Sequence, residues 1–243
     1  MTGHTVRISP SAKRVRVVFG GEVIADAPDG MYVWEHPFFP QYYLPLSAVA
    51  DGVLTPIAER EGRGLRCDVL GGGRVASGAA VSFPDHPIPE LRDHVRFEFG
   101  AMDAWFEEDE EIIVHPRDPA TRVQTLPSSR RVTVSVDGVV IADTGRPTFL
   151  HETGLPRRTY LPKLDVRLDL LTPTTTSSRC PYKGTARYWS VTTPAGVRAD
   201  LAWSYPTPLR ESMGIAGLIA FYDEHVDVTV DGVALPRPVT KFS

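Results

Sequence analysis

Apolar and polar residues alternate along much of this chain, and the alternation is broken every few residues by proline or glycine. RVRVVFGGEVIAD places Val15, Val17 and Phe19 on one face, turns at Gly20-Gly21 and resumes with Val23, the pattern of a β-hairpin. RRVTVSVDGVVIADT repeats it with Asp137-Gly138 at the turn. HVRFEF reads as a further strand, and the chain as a whole reads as mainly β. Two segments depart from the two-residue period. Thr207-Pro208 resembles an N-cap with proline at the first helical position, and Leu209, Met213, Ala216 and Ala220 recur at helical spacing. AMDAWFEEDEEI predicts about two further helical turns, with Glu107 to Glu111 as a solvated acidic run.

The second hairpin belongs to a long internal repeat. An offset of 117 carries Arg14–Asp26 onto Arg131–Asp143, Glu35 onto Glu152, Tyr43-Leu44-Pro45 onto Tyr160-Leu161-Pro162 and Leu54-Thr55-Pro56 onto Leu171-Thr172-Pro173. After a gap, Arg66-Cys67 aligns with Arg179-Cys180, Phe83-Pro84 with Tyr205-Pro206, and Ala104-Trp105-Phe106 with Ala220-Phe221-Tyr222. A register held that long is a tandem duplication. It predicts a first domain over 1–115, an extended linker over 116–130 and a second domain over 131–243, each built of packed antiparallel strands with one helix and matching its partner strand for strand.

Composition narrows the function classes. The 243 residues carry a formal charge of −4 with a sequence pI near 6.0, so the clustered Lys and Arg that phosphate contacts need are missing, and nucleic acid is not an expected partner. No window approaches the ~20 apolar residues of a membrane helix and no basic-then-apolar leader opens the chain, which predicts a cytoplasmic protein. Of the seven histidines, His36, His86, His94, His115, His151 and His225 show no i, i+2 or i, i+4 pair, and no serine sits in a Gly-x-Ser-x-Gly elbow, so neither a metal nor a Ser-His-Asp site is expected. No Gly-rich phosphate loop appears, and no cofactor is assigned. The aligned positions of Cys67 and Cys180 predict two free thiols, one per domain.

Candidate chemistry gathers in the second copy. In SSRCPYKGTARYWSV, Cys180 is followed by Pro181, Tyr182, Lys183 and Gly184, a turn that could bring the Lys183 ammonium near the thiol and raise its thiolate fraction. A lysine on such a turn reaches into a cleft while burying little apolar area. Trp203 and Tyr205 share a strand face that Tyr188 could meet across the sheet, and their polar tips want partners. Glu152 stands after an apolar strand, where a carboxylate needs a cation; Arg158 and Lys183 are the candidates.

These blocks carry a resemblance. RRVTVSVDGVVIADT, LHETGLPRRTYLPKLDV, SSRCPYKGTARYWSV and LAWSYPTPLRESMGIAGLIAFYDEHVDVTVDG resemble the successive blocks of domain-of-unknown-function family 427, with RVRVVFGGEVIAD, WEHPFFPQYYLPLSAV and AMDAWFEEDEEIIVHPRDP similar to the divergent first copy of its two-domain members. The label of nucleotidyltransferase-like sometimes attached to that family finds no phosphate loop or magnesium carboxylates here. The resemblance implies typical positions at Glu152, Tyr160, Pro162, Cys180, Pro181, Lys183, Gly184, Tyr188, Trp203, Tyr205, Pro206 and Tyr222. The resulting expectation is a small organic ligand bound, and in an enzymatic version of the reading turned over, in a polar and aromatic pocket of the second domain, with Glu152, Lys183 and Cys180 as catalytic candidates and Tyr160, Tyr188, Trp203, Tyr205 and Tyr222 as ligand contacts. The alternative is a non-catalytic structural or protein-interaction module.

Overall fold

The computed structural model describes residues 6–61 and 64–240. The chain divides into two compact units, 1–118 and 119–243. The first holds β1 (Arg7–Ser11), β2 (Val15–Phe19), β3 (Glu22–Ala27), β4 (Gly30–His36), β5 (Phe39–Pro45), β6 (Leu54–Glu61), β7 (Gly64–Gly71), β8 (Arg74–Phe83), β9 (His94–Phe97), β10 (Ala104–Glu107) and β11 (Glu110–Ile112). The second holds β12 (Val123–Pro127), β13 (Val132–Val136), β14 (Val139–Thr144), β15 (Thr148–Glu152), β16 (Arg158–Leu161), β17 (Leu171–Cys180), β18 (Gly184–Thr193), β19 (Gly196–Ser204), β20 (Ile219–Phe221), β21 (Asp227–Val230) and β22 (Val233–Ala234).

In each unit a seven-stranded antiparallel sheet covers a four-stranded one. The orders are β1-β4-β5-β9-β8-β7-β6 with β11-β10-β2-β3, and β12-β15-β16-β20-β19-β18-β17 with β22-β21-β13-β14. Adding eleven to each strand number of the first domain gives the second, so the mainly β, duplicated architecture holds strand for strand. Alternation explains which side faces in. Val15, Val17 and Phe19 are buried against Tyr42, Leu44 and Phe97, while Val132, Val134 and Val136 play the same part against Phe149, Leu161 and Phe221. The hairpin turns need left-handed backbone: Gly20 and Gly21 have φ of 63° and 79°, and Asp137 and Gly138 have 50° and 79°.

Several expectations change. β12 lies inside the stretch 116–130 read as a linker; it pairs with β15 as β1 pairs with β4, although its sequence VQTLP shows little alternation. The helix expected from Leu209 is a 3-10 helix over Arg210–Ile215, after which Gly217 at φ 68° reverses the chain and Ile219–Phe221 becomes a fully buried central strand. Local helical spacing is overridden because the sheet needs those apolar residues. AMDAWFEEDEEI is the hairpin β10–β11, and Glu107, read as solvated, is buried: it accepts from Lys13 Nζ at 2.5 Å and from the Tyr42 hydroxyl at 2.9 Å.

Strand pairing also corrects the repeat alignment beyond the first gap. Ala80 faces Phe97 as Ala202 faces Phe221, so β20 matches β9, and Ala220 and Tyr222 stand where the first domain has Arg96 and Glu98 rather than Ala104 and Phe106. Cys67 lies on β7 opposite Ala80, the place of Trp189 opposite Ala202; Cys180 lies at the end of β17 and has no counterpart. The register offset is 117 on β6/β17 and 122 on β7/β18, so the second hairpin is five residues longer. The extra length carries Cys180-Pro181-Tyr182-Lys183-Gly184.

All four edge strands of the seven-stranded sheets contain an exposed proline: Pro10, Pro56, Pro127 and Pro173.

Candidate functional site

The sequence candidates of the second domain converge on the sheet face turned away from its inter-sheet core. Pairing places Thr148, Tyr160, Ala220, Trp203 and Tyr188 in one cross-strand row. Trp203 Nε1 donates to the Tyr160 hydroxyl at 3.1 Å, and the two rings meet edge to face at 6.3 Å. Tyr222 packs on Trp203 at 4.6 Å, and Tyr205 joins the same buried cluster with Leu150, Ala186 and Ile215. Burial pushes the phenols of Tyr160 and Tyr205 well above their ordinary range; burial and the neighbouring Tyr188 hydroxyl do the same for Tyr222. All three therefore stay protonated and serve as hydrogen-bonding groups at neutral pH.

The longer hairpin folds over this face. Pro181 and Tyr182 are buried, the Lys183 carbonyl accepts from the Leu209 amide at 3.2 Å, and Ser212 Oγ donates to the Tyr182 carbonyl at 3.1 Å. Gly184, at φ 97°, permits the turn, as its place after Lys183 suggested. Lys183 consequently points inward, against the expectation of a lysine reaching into open space. Its ammonium donates to Glu152 Oε2, with the two side chains 11% and 10% exposed. Arg158, the other candidate partner, instead makes two bonds to Glu224, at 2.7 and 2.5 Å. Cys180 is a part-exposed free thiol at the hairpin tip, paired with Gly184 across the turn, and the Lys183 charge is committed to the carboxylate.

Beside Arg158 two adjacent carboxyls are driven apart. Burial pushes Asp223 up to about 6, against the pull of the Arg158 charge. Burial acts on Glu224 in the same direction, but hydrogen bonds from Arg158 and Thr240 outweigh it and hold that carboxyl at about 2.

An open cleft of about 400 Å³ lies at the rim of the aromatic face, lined by Thr176, Tyr188, Ala199, Asp200, Leu201, Tyr222 and His225. Its floor is a bulge in β19, where Asp200 adopts φ 49°, a left-handed conformation that Asp tolerates. Thr174 and Thr176 donate to the two Asp200 oxygens at 2.6 and 2.7 Å. Tyr188 and Tyr222 are the sequence candidates that reach this cleft, whereas Glu152, Lys183, Cys180, Tyr160, Trp203 and Tyr205 do not line it. Asp200, Thr176 and His225 were missed, because a bulge residue and a histidine beyond a strand end leave no periodic signal. Among the described residues no group of three or more His, Cys, Asp and Glu side chains is placed to hold a metal ion.

The fold and this face together define a protein of two duplicated β-sandwich domains, whose equivalent sheet faces have taken on different chemistry. A family model described as a domain of unknown function, DUF427, matches residues 7–108 and 124–232, and the chain belongs to that family. No curated protein matches it. No helix among the described residues is long and apolar enough to cross a membrane.

Proposed function

We propose that the second domain binds a small organic molecule in the cleft lined by Tyr188 and Tyr222. The observation that carries this reading is the difference between equivalent positions. In the first domain Arg66 lies across the matching bulge and donates to the Gly78 carbonyl at 3.2 Å, and a Cβ on Gly78 would sit 3.2 Å from Arg66 Cδ. In the second domain Tyr188 replaces Arg66 and Asp200 replaces Gly78, leaving a hollow with aromatic walls and polar groups at its rim. That combination, in a volume of a few hundred Å³, is the usual form of a small-ligand site. Trp203, Tyr160 and Tyr205 are the layer that holds the tyrosine walls, and the Glu152–Lys183 pair anchors the hairpin over them. A cytoplasmic setting belongs to the same reading, since both cysteines are free, as a reducing compartment keeps them.

Thermal-shift screening of small metabolites tests it. A ligand at 100 times its Kd stabilises by about 2.7 kcal/mol. The expected hit disappears in Tyr222→Ala and persists in Phe38→Ala, an exposed first-domain change. If every hit in the screen is indifferent to Tyr222 and Tyr188, the cleft is not the site and the interaction-module alternative takes its place.

A further inference from the structure

The cleft does not end at His225. A second hollow of about 250 Å³ shares Ala199, Leu201 and His225 with it and is lined beyond them by Asp137, Arg198 and Arg237. The two hollows adjoin along these shared residues, with two tyrosines on one side and two guanidiniums on the other. We propose that their ligand is a small aromatic acid, the ring seated against Tyr188 and Tyr222 and the anionic group at Arg198 and Arg237; this rests on the binding reading above and names its substrate class.

Asp137 and Asp227 balance the two positive charges, so it is the unused guanidinium donors that favour an anion at that end. Two arginines face one lining carboxylate, and each arginine is about half exposed, at 57% for Arg198 and 52% for Arg237. Arg198 bonds Asp137 through Nη2 at 2.7 Å and Nε at 3.2 Å, and Arg237 bonds Asp227 Oδ1 through Nη2 at 2.8 Å and Nε at 3.2 Å. A guanidinium has five N–H donors in a planar fork, so these contacts fix each group while leaving further donors for a carboxylate or phosphate. The carboxyl of Asp137 is held below its ordinary range, first by the Arg198 hydrogen bond and also by the charges of Arg198 and Arg237, which places both cations in one field.

The first domain has no equivalent. Arg198 stands where it has Ala76, and Asp137 where it has Gly20. There the Gly20 turn is pressed against the next hairpin: a Cβ on Gly20 would lie 2.1 Å from the Gly71 carbonyl oxygen. The residues of the basic end and of the aromatic end are thus replaced together at the equivalent positions of the first domain.

The test is isothermal titration of the full chain with 4-hydroxyphenylacetate, its neutral amide, 4-hydroxyphenyl phosphate and acetate. The acid should bind at least ten-fold more tightly than the amide, with acetate alone weaker than either. Arg198→Met and Arg237→Met should each weaken the acid about ten-fold and leave the amide unchanged, while Asp137→Asn, which removes the competing carboxylate, should tighten the acid. The ratio of acid to phosphate ester identifies the anionic group. Equal binding of acid and amide overturns the anionic end while the aromatic cleft stands. Binding of neither overturns the aromatic-acid inference outright, and the Tyr222-dependent metabolite screen then judges the cleft separately.

Discussion

The outer faces of the two large sheets have the same backbone and opposite solutions to one carboxylate, which is a third exposed in the first domain and largely buried in the second. Glu35 and Glu152 are equivalent, at the ends of β4 and β15. In the first domain Arg96, 9% exposed in the centre of the sheet, bonds Glu35 at 2.6 Å, Glu61 at 2.8 Å and Glu98 at 3.0 Å, and Tyr43 donates to Glu35 at 2.7 Å. Burial works against the Arg96 charge, but the surrounding glutamates outweigh it and raise its pKa. In the second domain the Arg96 position is Ala220, and the cation arrives from above on the longer hairpin as Lys183. Tyr43 is kept as Tyr160, but the residues around it change accordingly. The Glu61–Arg66 ion pair becomes the 2.7 Å contact between the Ser178 and Tyr188 hydroxyls, Val81 becomes Trp203 and Glu98 becomes Tyr222. Moving one positive charge off the sheet floor lets aromatic rings cover it. A carboxylate can thus be kept while its counterion, and the chemistry of the whole face, is replaced.

The comparison is broken most forcefully at Trp203. Truncation to alanine removes the ring that replaces Val81 and should cost the second domain about 3–5 kcal/mol, read by urea unfolding; Val81→Ala should cost about 2 kcal/mol. Equal effects would mean that the two faces are not differently packed.

Next come the counterions. Lys183→Met strands the largely buried Glu152 carboxylate and should destabilise by about 3 kcal/mol or more, whereas Arg96→Met leaves three glutamates that are each a third to a half exposed and should cost only about 1 kcal/mol. Lys183→Met combined with Glu152→Leu should recover most of that loss, because no isolated charge remains. A Lys183→Met protein as stable as the parent would show that the hairpin is not tied down through this pair.

A third effect belongs to the second domain, which follows Tyr222 with Asp223-Glu224 where the first continues Glu98-Phe99-Gly100. With Asp223 raised to about 6, the folded state holds a proton there that the unfolded chain releases near pH 4. Stability therefore falls as pH rises from about 4 to 6, and Asp223→Asn should flatten that slope and add about 2 kcal/mol at pH 7. Glu224, held at about 2, acts in the opposite sense: its contribution is present above about 4.5 and is lost as pH falls toward 2. Unfolding midpoints between pH 2 and 8 separate the two.

The smallest expected effect concerns thiols. Denatured protein should titrate two free sulfhydryls, and in the native state the part-exposed Cys180 should be labelled well before Cys67, which is 1% exposed.

Much of this was legible in the sequence where a residue's role is local. The hairpin glycines, the alternating valines and the offset of 117 defined the strands and the duplication, and Glu152 announced its need for a partner. What escaped was set by distance. Lys183 looked exposed because its burial depends on Leu209 and Ser212, more than twenty residues away. The match of Cys67 with Cys180 followed an Arg-Cys pair that recurs by coincidence, and only strand pairing reveals that a hairpin had lengthened. Ile219–Phe221 resembled a helix because Ala220 continues the helical spacing of Leu209, Met213 and Ala216, and the reversal at Gly217 that separates it from them is not visible in that spacing. The cleft residues Asp200 and His225 lie at irregular points of the backbone, where periodicity carries no information.

The four edge prolines have a consequence beyond geometry. A large antiparallel sheet ends in a row of unsatisfied amides and carbonyls that a second molecule could extend, strand upon strand, into an aggregate. Proline offers no N–H to such a neighbour, and on β6 and β17 it sits at a break in register, after Pro56 and after Pro173. Each edge therefore presents an interrupted template. For a chain that is half strand, with the ten-residue run LTPTTTSSRC facing outward on β17, that interruption guards against intermolecular β-pairing and keeps the molecule from becoming the seed of a fibril.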